Sequence, residues 1–513
     1  MDQKLVINIS PTEKRIALLE NNQVTEILIE REEQRSSVGN IYRGVVSRVL
    51  PGMNCAFVKV GLERAAFLYG RDILDPTTPP SSSLVDAETF LEEDLSVALS
   101  LPPQKPIDQM LHEGQSIVVQ VLKEPLGTKG PRISMHLSLP GRYLVLLPRI
   151  SHMGISRRIE SEAERKRLRE SVQPLLPPQM GVIVRTAAQG VSEAEISQDL
   201  LYLIKAWQTL EKKITEPLDP TSKGIGLLYA DLPLQLRVVR DWYCPEVSEI
   251  VVDSRKAYKE LHQFLLDTLP LAVDKLRLHK DPIPVFDLYD IELDLAGALD
   301  RKVILPSGGH LIVDQTEALT SFDVNTGKFV GTSNARETIF KTNLEAAKKV
   351  AEQLRLRNIG GIIIIDFIDC ETDEDRETLF AQFQQELKRD RARTHVLRIS
   401  ELGLVQMTRK RTADSLGRQL LQECPYCMGN GQVRRLETEG TDLLREVRRI
   451  SLQTGEKNVN IHAREDLIHW VKTHEHDALA SLQDRQGLHI RFTPSSFQLE
   501  MLRESQYEVS VEK

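Results

Sequence analysis

Four consecutive isoleucines, Ile362 to Ile365, are the feature that most limits how this chain can fold. β-Branched side chains favour extended backbone, and an unbroken apolar run of this kind is typical of a strand buried on both faces. A helix predicted over residues 335–357 stops at the glycine pair before the run, which is a usual helix end. The predicted strand then leads into two carboxylates, Asp366 and Asp369, where a turn or further apolar residues are expected.

The bulk composition indicates a soluble protein of several domains. The chain has 513 residues, 41% hydrophobic and 27% charged, which predicts roughly two to four domains. No apolar run approaches the roughly 18–20 residues that cross a bilayer, and the N-terminus lacks the pattern of a secretion signal. Three of the five cysteines stand singly, which favours reduced thiols, a cytoplasmic location and no membrane insertion. The net charge of −8 neither supports nor excludes a nucleic-acid partner.

The chain changes character several times along its length. Short strands separated by glycine and proline begin near residue 39 and predict a small β-barrel. Residues 75–111 break this rhythm with TTPPSSS and LPPQKP, which predicts a long loop around a short helix at 86–99. Residues 285–400 alternate strand and helix more regularly, as layers around a sheet do.

Two phenylalanines, Phe57 and Phe67, fall on neighbouring strands of the predicted barrel. Five-stranded barrels of this kind bind single-stranded nucleic acid by stacking bases on aromatic rings, at roughly 1–3 kcal/mol per base. The alternative is that both rings belong to the barrel core. The order GNIYRGVV, CAFVKV, AAFL resembles the RNA-binding barrel named after ribosomal protein S1, which favours the stacking interpretation.

A second carboxylate-bearing segment, LIVDQTEALTSFDVNTG, precedes the isoleucine strand. If the two strands are neighbours in one sheet, Asp323 and Asp366 point into one cleft at the strand ends, with Asn325 beside Asp323. Close carboxylates repel and must share a proton or a cation. Oxygen ligands without His or Cys suit Mg²⁺ or Mn²⁺, which can activate water against a phosphodiester. The alternative is that the acids cap turns or pair with Arg355, Arg357 or Lys341.

The stretch CPYCMGNG contains a close cysteine pair, Cys424 and Cys427. A thiol–disulfide function, as in glutaredoxins, needs the motif between a strand and a helix of an early βαβ unit, whereas here it lies late and is followed by helix-breaking GNG. A zinc knuckle is favoured, although tetrahedral zinc needs four ligands. His395 is one candidate for a third ligand. The simplest completion is the cysteine pair of a second copy of the chain, which predicts a homodimer.

In this order, the segments resemble the ribonuclease E/G family of bacterial endoribonucleases, and its G-type members most closely. The resemblance covers the chain from the first strand to the end. It is carried by GNIYRGVV, KEPLGTKGPRIS, GISRRIE, VRTAAQGVSEAE, LPSGGHLIVDQTEALTSFDVNTGKFVG, IFKTNLEAAKKVAEQLRLRNIGGIIIIDFID, GLVQMTRKRT and CPYCMGNGQV.

The resemblance implies a multidomain α/β (α+β) fold in which an OB-fold barrel of the S1 type is inserted in an RNase H-like domain. The implied domains are the RNase H-like domain (1–38 and 216–280), the RNA-binding barrel (39–126), a 5′-sensor domain (127–215), a DNase I-like catalytic domain (281–400), a zinc link (401–435) and a small C-terminal α/β domain (436–513).

The resemblance also implies an Mg²⁺-dependent endoribonuclease acting on single-stranded, A/U-rich RNA in rRNA 5′-end maturation and mRNA decay. Such an enzyme favours 5′-monophosphorylated RNA and leaves 5′-phosphate and 3′-hydroxyl ends. Asp323 and Asp366 are expected to hold Mg²⁺, which lowers the pKa of a water that attacks phosphorus in line, and Asn325 to orient Asp323 or the phosphate. The alternative is a non-catalytic RNA-binding dimer with the same barrel.

Further binding residues follow from the resemblance alone. Phe57 and Phe67 match a base-gripping pocket, and Lys123 and Lys129 match phosphate-contacting lysines. A 5′-monophosphate sensor is expected at Arg185 and Thr186, with backbone from Gly141 and Val145. Cys424 and Cys427 match ligands of a Zn²⁺ ion shared between two protomers, in a homodimer or a tetramer.

Overall fold

The computed structural model describes nearly the whole chain in two compact units, residues 1–416 and 417–513. The described residues are 2–74, 106–124, 130–216, 224–327, 335–400, 403–411, 413–427, 429–494 and 507–512. The helix predicted at 86–99 and Lys129 lie outside these ranges. No helix in the described part of the chain is both long and apolar enough to span a membrane.

The chain begins with an antiparallel meander of three strands, β1 (Gln3–Ile9), β2 (Glu13–Glu20) and β3 (Gln23–Arg31). The turn between β2 and β3 uses Asn21 and Asn22, both with positive φ, which asparagine tolerates better than most residues. Leu5, Ile7, Ile16 and Leu18 are buried in the core of this part of the molecule.

The next five strands build a closed barrel, as the strand spacing predicts. They are β4 (Ile41–Leu50), β5 (Cys55–Lys59), β6 (Ala66–Tyr69), β7 (Ser116–Lys123) and β8 (Arg132–Ser134), with helix α1 (Ile107–Met110) before β7. The order is β4-β5-β6-β8-β7, and β7 pairs back with β4, so the sheet closes on itself. The interior is filled by apolar side chains that include Val46, Val58, Leu68, Val119 and Ile133.

A small four-stranded sheet and two helices follow the barrel. The strands are β9 (Leu139–Pro140), β10 (Leu144–Leu147), β11 (Met153–Ile155) and β12 (Gly181–Val184), in the order β11-β12-β10-β9, and the helices are α2 (Glu162–Val172) and α3 (Glu193–Thr215). A capping box between Ser192 and Glu195 starts α3. The helix buries a stripe of residues at helical spacing, which includes Ile196, Leu200, Leu203, Trp207 and Leu210.

The chain then returns to its first sheet. The elements are β13 (Gly226–Tyr229), α4 (Leu234–Trp242), β14 (Val247–Val252), α5 (Arg255–Thr268) and β15 (Leu276–Leu278). Strand β13 pairs with β4 of the barrel, whereas β14 runs parallel to β1 and β15 parallel to β14. The resulting order is β15-β14-β1-β2-β3, so the barrel and the four-stranded sheet are inserted between strands of one sheet.

The last part of the first unit is a six-stranded sheet with the candidate catalytic residues. Its elements are α6 (Val285–Leu288), α7 (Ile291–Gly297), β16 (Lys302–Ile304), β17 (His310–Gln315), β18 (Leu319–Asn325), α8 (Ala335–Leu356), β19 (Gly361–Asp366), α9 (Asp373–Leu387), β20 (Thr394–Val396) and β21 (Leu404–Arg409). The order is β16-β17-β18-β19-β21-β20, with β18 and β19 parallel. Arg355 of α8 forms ion pairs with Glu20 and Glu26, which tie this sheet to the first one.

The six-stranded sheet is buried on one face, and the expectation that the isoleucine strand is buried on both is wrong. Ile363 and Ile365 are fully buried in a core that also contains Ala347, Leu354 and Phe383 of α8 and α9. On the opposite face Ile362 is 51% exposed. The cause is that both helices cover the same side of the sheet, so alternate residues of β19 face away from them.

The second unit is a small α/β domain. It contains α10 (Leu416–Leu420), which begins at the boundary between the units, α11 (Leu436–Thr454), β22 (Asn458–Ala463), α12 (Glu465–His474), α13 (His476–Gln486), β23 (His489–Pro494) and β24 (Tyr507–Glu512). The strand order is β23-β22-β24, with β22 parallel to β23 and antiparallel to β24. Leu443, Val447, Ile461 and Leu467 are among its core residues.

Candidate functional site

Asp323 and Asp366 occupy directly paired positions on neighbouring strands. Strands β18 and β19 run parallel, and the register places Asp323 opposite Asp366 at the end of the pair. Their neighbours Phe322 and Ile365 point into the core, so both carboxylates lie on the open face of the sheet, where both are exposed. The expectation that the two segments are sheet neighbours is confirmed.

Two amide side chains organise this pair. Asn325 donates a hydrogen bond from Nδ2 to Oδ2 of Asp323, at 2.9 Å. Asn343 of α8 is fully buried and holds the loop that follows Asp366, because its Nδ2 donates to the carbonyl of Ile368 at 2.7 Å and its Oδ1 accepts from the Ile368 amide at 3.0 Å. Sequence reasoning missed Asn343. Its signal was a polar residue in the apolar stripe of the helix, in register with Ala346 and Val350.

The electrostatics of the pair favour a cation. The pKa of Asp366 is raised, first by desolvation and then by the negative charges of Asp323 and Asp369. Neither Asp323 nor Asp366 forms an ion pair with any described residue. Two carboxylates without nitrogen or sulfur donors match the ligand preference of Mg²⁺, which keeps several waters when proteins bind it. The residues present therefore fit the implied metal.

Other side chains on the open face surround the pair. Arg301 forms an ion pair with Asp314, with Nη2 at 2.7 Å from Oδ2. Asp314 thus pairs with a basic residue that the sequence analysis did not consider. His310 is the register partner of Asn325 and lies on the same face as Asp323. Neither Arg301 nor His310 was singled out from the sequence, because both come near the carboxylates only through the antiparallel pairing of β17 with β16 and β18.

The barrel phenylalanines point outward. Phe57 and Phe67 are register partners on β5 and β6, with ring centroids 5.6 Å apart at an interplanar angle of 76°. Both are half-buried and lie outside the barrel core, so the alternative that they are core residues is wrong. The strand register continues this pair into a row across five strands, with Arg48 on one side of the two rings and two basic residues on the other. In order, the row is Arg48, Phe57, Phe67, Arg132 and Lys123.

A third aromatic ring extends the surface formed by the phenylalanines. The ring centroid of Tyr69 is 4.6 Å from that of Phe67, and the Arg132 guanidinium lies 4.6 Å from the Tyr69 centroid. Arg132 is fixed by an ion pair with the buried Asp72, at 2.7 Å. The alternation Phe67-Leu68-Tyr69 was the available signal, since residues two apart on a strand share a face.

The four predicted sensor residues lie on or next to the paired strands β10 and β12. Arg185 follows β12, and its Nη1 donates to the carbonyl of Gly141 at 2.7 Å and to Asp241 at 2.8 Å. The hydroxyl groups of Thr186 and Ser156 are 2.9 Å apart. Val145 is buried on β10, where it pairs with Ile183 of β12. The structure thus brings the predicted residues together.

Two aspartates that sequence reasoning missed support this region. Burial by itself opposes the charge of Asp241, yet Arg240 and Arg185 hold its pKa well below the usual range. Asp199 is fully buried, which raises its pKa, and accepts hydrogen bonds from three successive backbone amides beginning at Arg142. A side chain at Gly141 would meet the Asp199 carboxylate at 2.7 Å, so this position has room only for glycine.

The cysteine pair forms a tight turn within the second unit. The Cys427 carbonyl accepts from the Asn430 amide at 2.9 Å, and the Cys427 Sγ accepts from the Gly431 amide at 3.3 Å. Hydrogen bonds from the backbone amides of Cys427 and Tyr426 lower the pKa of Cys424. Both sulfurs lie at accessible residues and all five cysteines are free thiols. Amide-to-sulfur hydrogen bonds stabilise thiolates, so the turn fits a metal-binding knuckle.

Comparison with known proteins identifies the group to which this chain is related. The family model described as "Ribonuclease E/G family" matches residues 138–412. Ribonuclease G of Escherichia coli (strain K12) is 42% identical over 491 residues, which cover 96% of each chain. The chain belongs to the ribonuclease E/G family.

Other members of the ribonuclease E/G family extend the relationship. Ribonuclease G of Haemophilus influenzae is 45% identical over 448 residues and 87% of each chain. Ribonuclease E of Nostoc sp. is 38% identical over 440 residues, or 83% of this chain and 60% of that protein. A second model, "RNase E/G, Thioredoxin-like domain", matches residues 423–511 of this family member.

The name of that second model raises the thiol–disulfide alternative again, and the structure of the unit argues against it. Among the described residues of the second unit, no strand precedes Cys424, and the helix after the turn, α11, begins only at Leu436. A redox pair of the thioredoxin kind lies at a junction between a strand and a helix. The cysteine turn of this ribonuclease E/G family member has no such placement.

Proposed function

We propose that this endoribonuclease of the ribonuclease E/G family cleaves single-stranded RNA at the Asp323–Asp366 pair and leaves 5′-phosphate and 3′-hydroxyl ends. The observation that carries the proposal is the direct pairing of the two aspartates on parallel strands, exposed on the open face of the sheet. The family relationship supports the enzyme class.

The residues around the pair have distinct roles in this proposal. Asp323 and Asp366 are the ligands of Mg²⁺, with Mn²⁺ as an alternative. When bound there, the ion supplies positive charge that activates water and offsets the charge building up on the phosphoryl oxygens. Asn325 fixes the orientation of Asp323 through its hydrogen bond, and the packing of one face of β19 fixes the direction of Asp366 on the other. Desolvation and then the negative charges of Asp323 and Asp369 raise the pKa of Asp366, and a cation at the pair would offset this repulsion.

The barrel serves as the RNA-binding surface of this proposal. Phe57 and Phe67 stack bases, and Lys123, together with Lys129, contacts phosphates. The row of cations on both sides of the two rings supports this assignment, since a phosphate backbone needs positive charge along its path. Because the net charge of the chain is −8, the attraction of RNA has to come from this local basic surface.

Arg185 and Thr186 form the sensor for a 5′-monophosphate, with backbone groups of Gly141 and Val145. Arg185 provides a forked, charge-assisted grip and Thr186 a hydroxyl. A preference for 5′-monophosphorylated, A/U-rich RNA, with roles in rRNA maturation and mRNA decay in the cytoplasm, belongs to the same proposal. The domain assignment from the sequence, with RNase H-like, sensor and DNase I-like parts, likewise stays a prediction.

The competing function is a non-catalytic RNA-binding dimer, and substitution of the aspartates separates the two. We expect Asp323→Asn and Asp366→Asn each to reduce cleavage of a 5′-monophosphorylated oligonucleotide by about a hundredfold or more, because each removes a metal ligand. RNA binding, measured by fluorescence anisotropy, should change little.

Asp373→Asn is a suitable control for these variants. Its side chain is 90% exposed at the start of α9, so the same chemical change there should leave cleavage intact. A wild-type protein that binds RNA in the presence of Mg²⁺ but never cuts it would support the scaffold function instead.

A further inference from the structure

A groove lies on the six-stranded sheet at the start of β19, at the opposite end of that strand from Asp366. It has a volume of about 450 Å³ and is lined by residues that include Gly361, Ile362, Arg393, His395, Thr408 and Lys410. None of these residues belongs to the catalytic pair, the barrel surface or the sensor. The groove is therefore a separate feature of the first unit.

The floor of the groove is a row of side chains across three strands. Ile362 on β19 pairs with Thr408 on β21, and Thr408 pairs with His395 on β20. Paired residues share a face, and all three are exposed on the open face that also carries Asp323 and Asp366. An exposed isoleucine beside an imidazole and a hydroxyl offers a flat apolar contact with a few polar groups at its edge, which suits a nucleobase.

Positive charge lies beside this floor. Arg393 lines the groove itself, and the guanidinium of Arg411 lies beside Gly361, whose absent side chain leaves room for it. Lys410 also lines the groove, but its Nζ is buried. Arg409 forms an ion pair with the buried Asp390 at 2.7 Å, which offsets its charge and holds it beneath the groove. Cations around an apolar floor match a nucleotide, which has a flat base and an anionic phosphate.

The direction of β19 connects the groove to the catalytic pair. From Ile362 to Asp366 the strand rises about 13 Å, since an extended strand gains about 3.3 Å per residue. Ile364 and its partner Gln406 lie between the two positions on the same face. A single RNA strand that follows β19 covers this distance in roughly two nucleotides, each spanning about one pair of residues.

We propose that the groove binds the base of a nucleotide about two positions from the scissile phosphodiester. This inference rests on the proposed function, because it places the scissile phosphate at Asp323 and Asp366. The occupant is single-stranded RNA of the same substrate molecule. The groove adds a contact that neither the barrel aromatics nor the sensor supplies.

An abasic scan tests the groove. A short single-stranded RNA with one cleavage site carries a single abasic nucleotide at each position in turn, and KM and kcat are measured for wild type, Ile362→Ala and His395→Ala. In wild type, the abasic nucleotide at one position near the site should raise KM about tenfold, the equivalent of one lost stacking contact. The two variants should show a similar KM increase on intact RNA and no further loss at that position.

Ile304→Ala is the matched control. Ile304 is 62% exposed on the same face of the sheet but on β16, on the other side of the carboxylates, so it should keep the wild-type pattern. Equal abasic penalties in wild type and His395→Ala at every position would overturn the proposal. A change in mass by light scattering in either groove variant would also overturn it, because the groove would then be an interface between copies of the chain.

Measuring the binding affinity of the same abasic RNAs in Mg²⁺-free buffer separates this proposal from the nuclease function. A wild type that shows the coupling in binding but never cuts RNA removes the nuclease function and supports the groove. A wild type that cuts RNA without any coupling, in cleavage or in binding, leaves the nuclease function and removes the groove.

Discussion

Asn343 shows how one buried side chain can set the geometry of a surface site. Its two hydrogen bonds to Ile368 fix the loop that leaves β19 directly after Asp366. A third contact, from its Nδ2 to the Cys370 sulfur at 3.4 Å, holds the same loop. The loop also carries Asp369, whose charge contributes to the raised pKa of Asp366. Asn343 is therefore a positioning residue for the proposed metal site.

We expect Asn343→Ala to raise the Mg²⁺ concentration needed for half-maximal cleavage several-fold, because Asp366 and Asp369 are then less well held. The free energy of unfolding should fall by about 1–3 kcal/mol, as two backbone groups lose their buried partners. Magnesium titration of the cleavage rate measures the first effect, and thermal unfolding the second.

Gln353→Ala is the control for this variant. Gln353 is buried in the same helix and bonds to Arg357, away from the loop. It should lower stability without moving the magnesium dependence. Equal magnesium curves for Asn343→Ala and wild type would show that Asn343 has a structural role only.

Elements, more than single residues, explain what the sequence could and could not predict about the site. The pairing of Asp323 with Asp366 was predictable, because a helix between two strands favours a parallel crossover and carboxylates at strand ends then meet. The open face was not predictable from β19 alone, since four isoleucines give no alternation to show which face the helices cover. Asp241 and Asp199 were missed because helix packing, not sequence spacing, brings them to Arg185 and Gly141.

Strand β12 and helix α4 both contribute to the proposed sensor region, since β12 leads into Arg185 and α4 carries Asp241, which pairs with Arg185. Arg185→Ala should reduce the preference for 5′-monophosphorylated over 5′-hydroxylated RNA by about tenfold or more, because a charge-assisted grip on phosphate is lost. Asp241→Asn should reduce it less, since Arg185 keeps its charge and its bond to the Gly141 carbonyl. Cleavage rates of matched substrates measure both effects.

Glu164→Gln is the control for the Arg185 and Asp241 variants. Glu164 also pairs with an arginine, Arg167, in the same part of the fold but outside the predicted sensor. Its substitution should leave the 5′-end preference unchanged. An unchanged preference in Arg185→Ala would remove the sensor from the proposed function.

If zinc joins two copies of the chain, the oligomeric state depends on the cysteine turn of the second unit. One chain supplies the two sulfurs of its cysteine turn, and within the described residues no cluster of three or more potential metal ligands is present. If tetrahedral zinc is shared by the cysteine pairs of two chains, as the sequence predicts, each chain holds about 0.5 zinc ions. We expect Cys424→Ser to lose zinc and to halve the mass measured by light scattering.

Cys244→Ser serves as the matched control, since Cys244 lies in the first unit and its Sγ donates to the side chain of Gln3. It should keep both zinc and mass. A Cys424→Ser protein of unchanged mass would mean that other surfaces hold the copies together.

The return of the chain to its first sheet has a consequence for synthesis on the ribosome. β1 has β2 on one side as soon as the meander emerges, but its other neighbour, β14, belongs to a segment made much later, as the hydrogen bond between Ile9 and Asp253 across 244 residues shows. The barrel, complete by β8, can close long before that. The growing chain thus exposes an unpaired strand edge while it already contains a finished domain, so chaperone binding should be concentrated on the first strands.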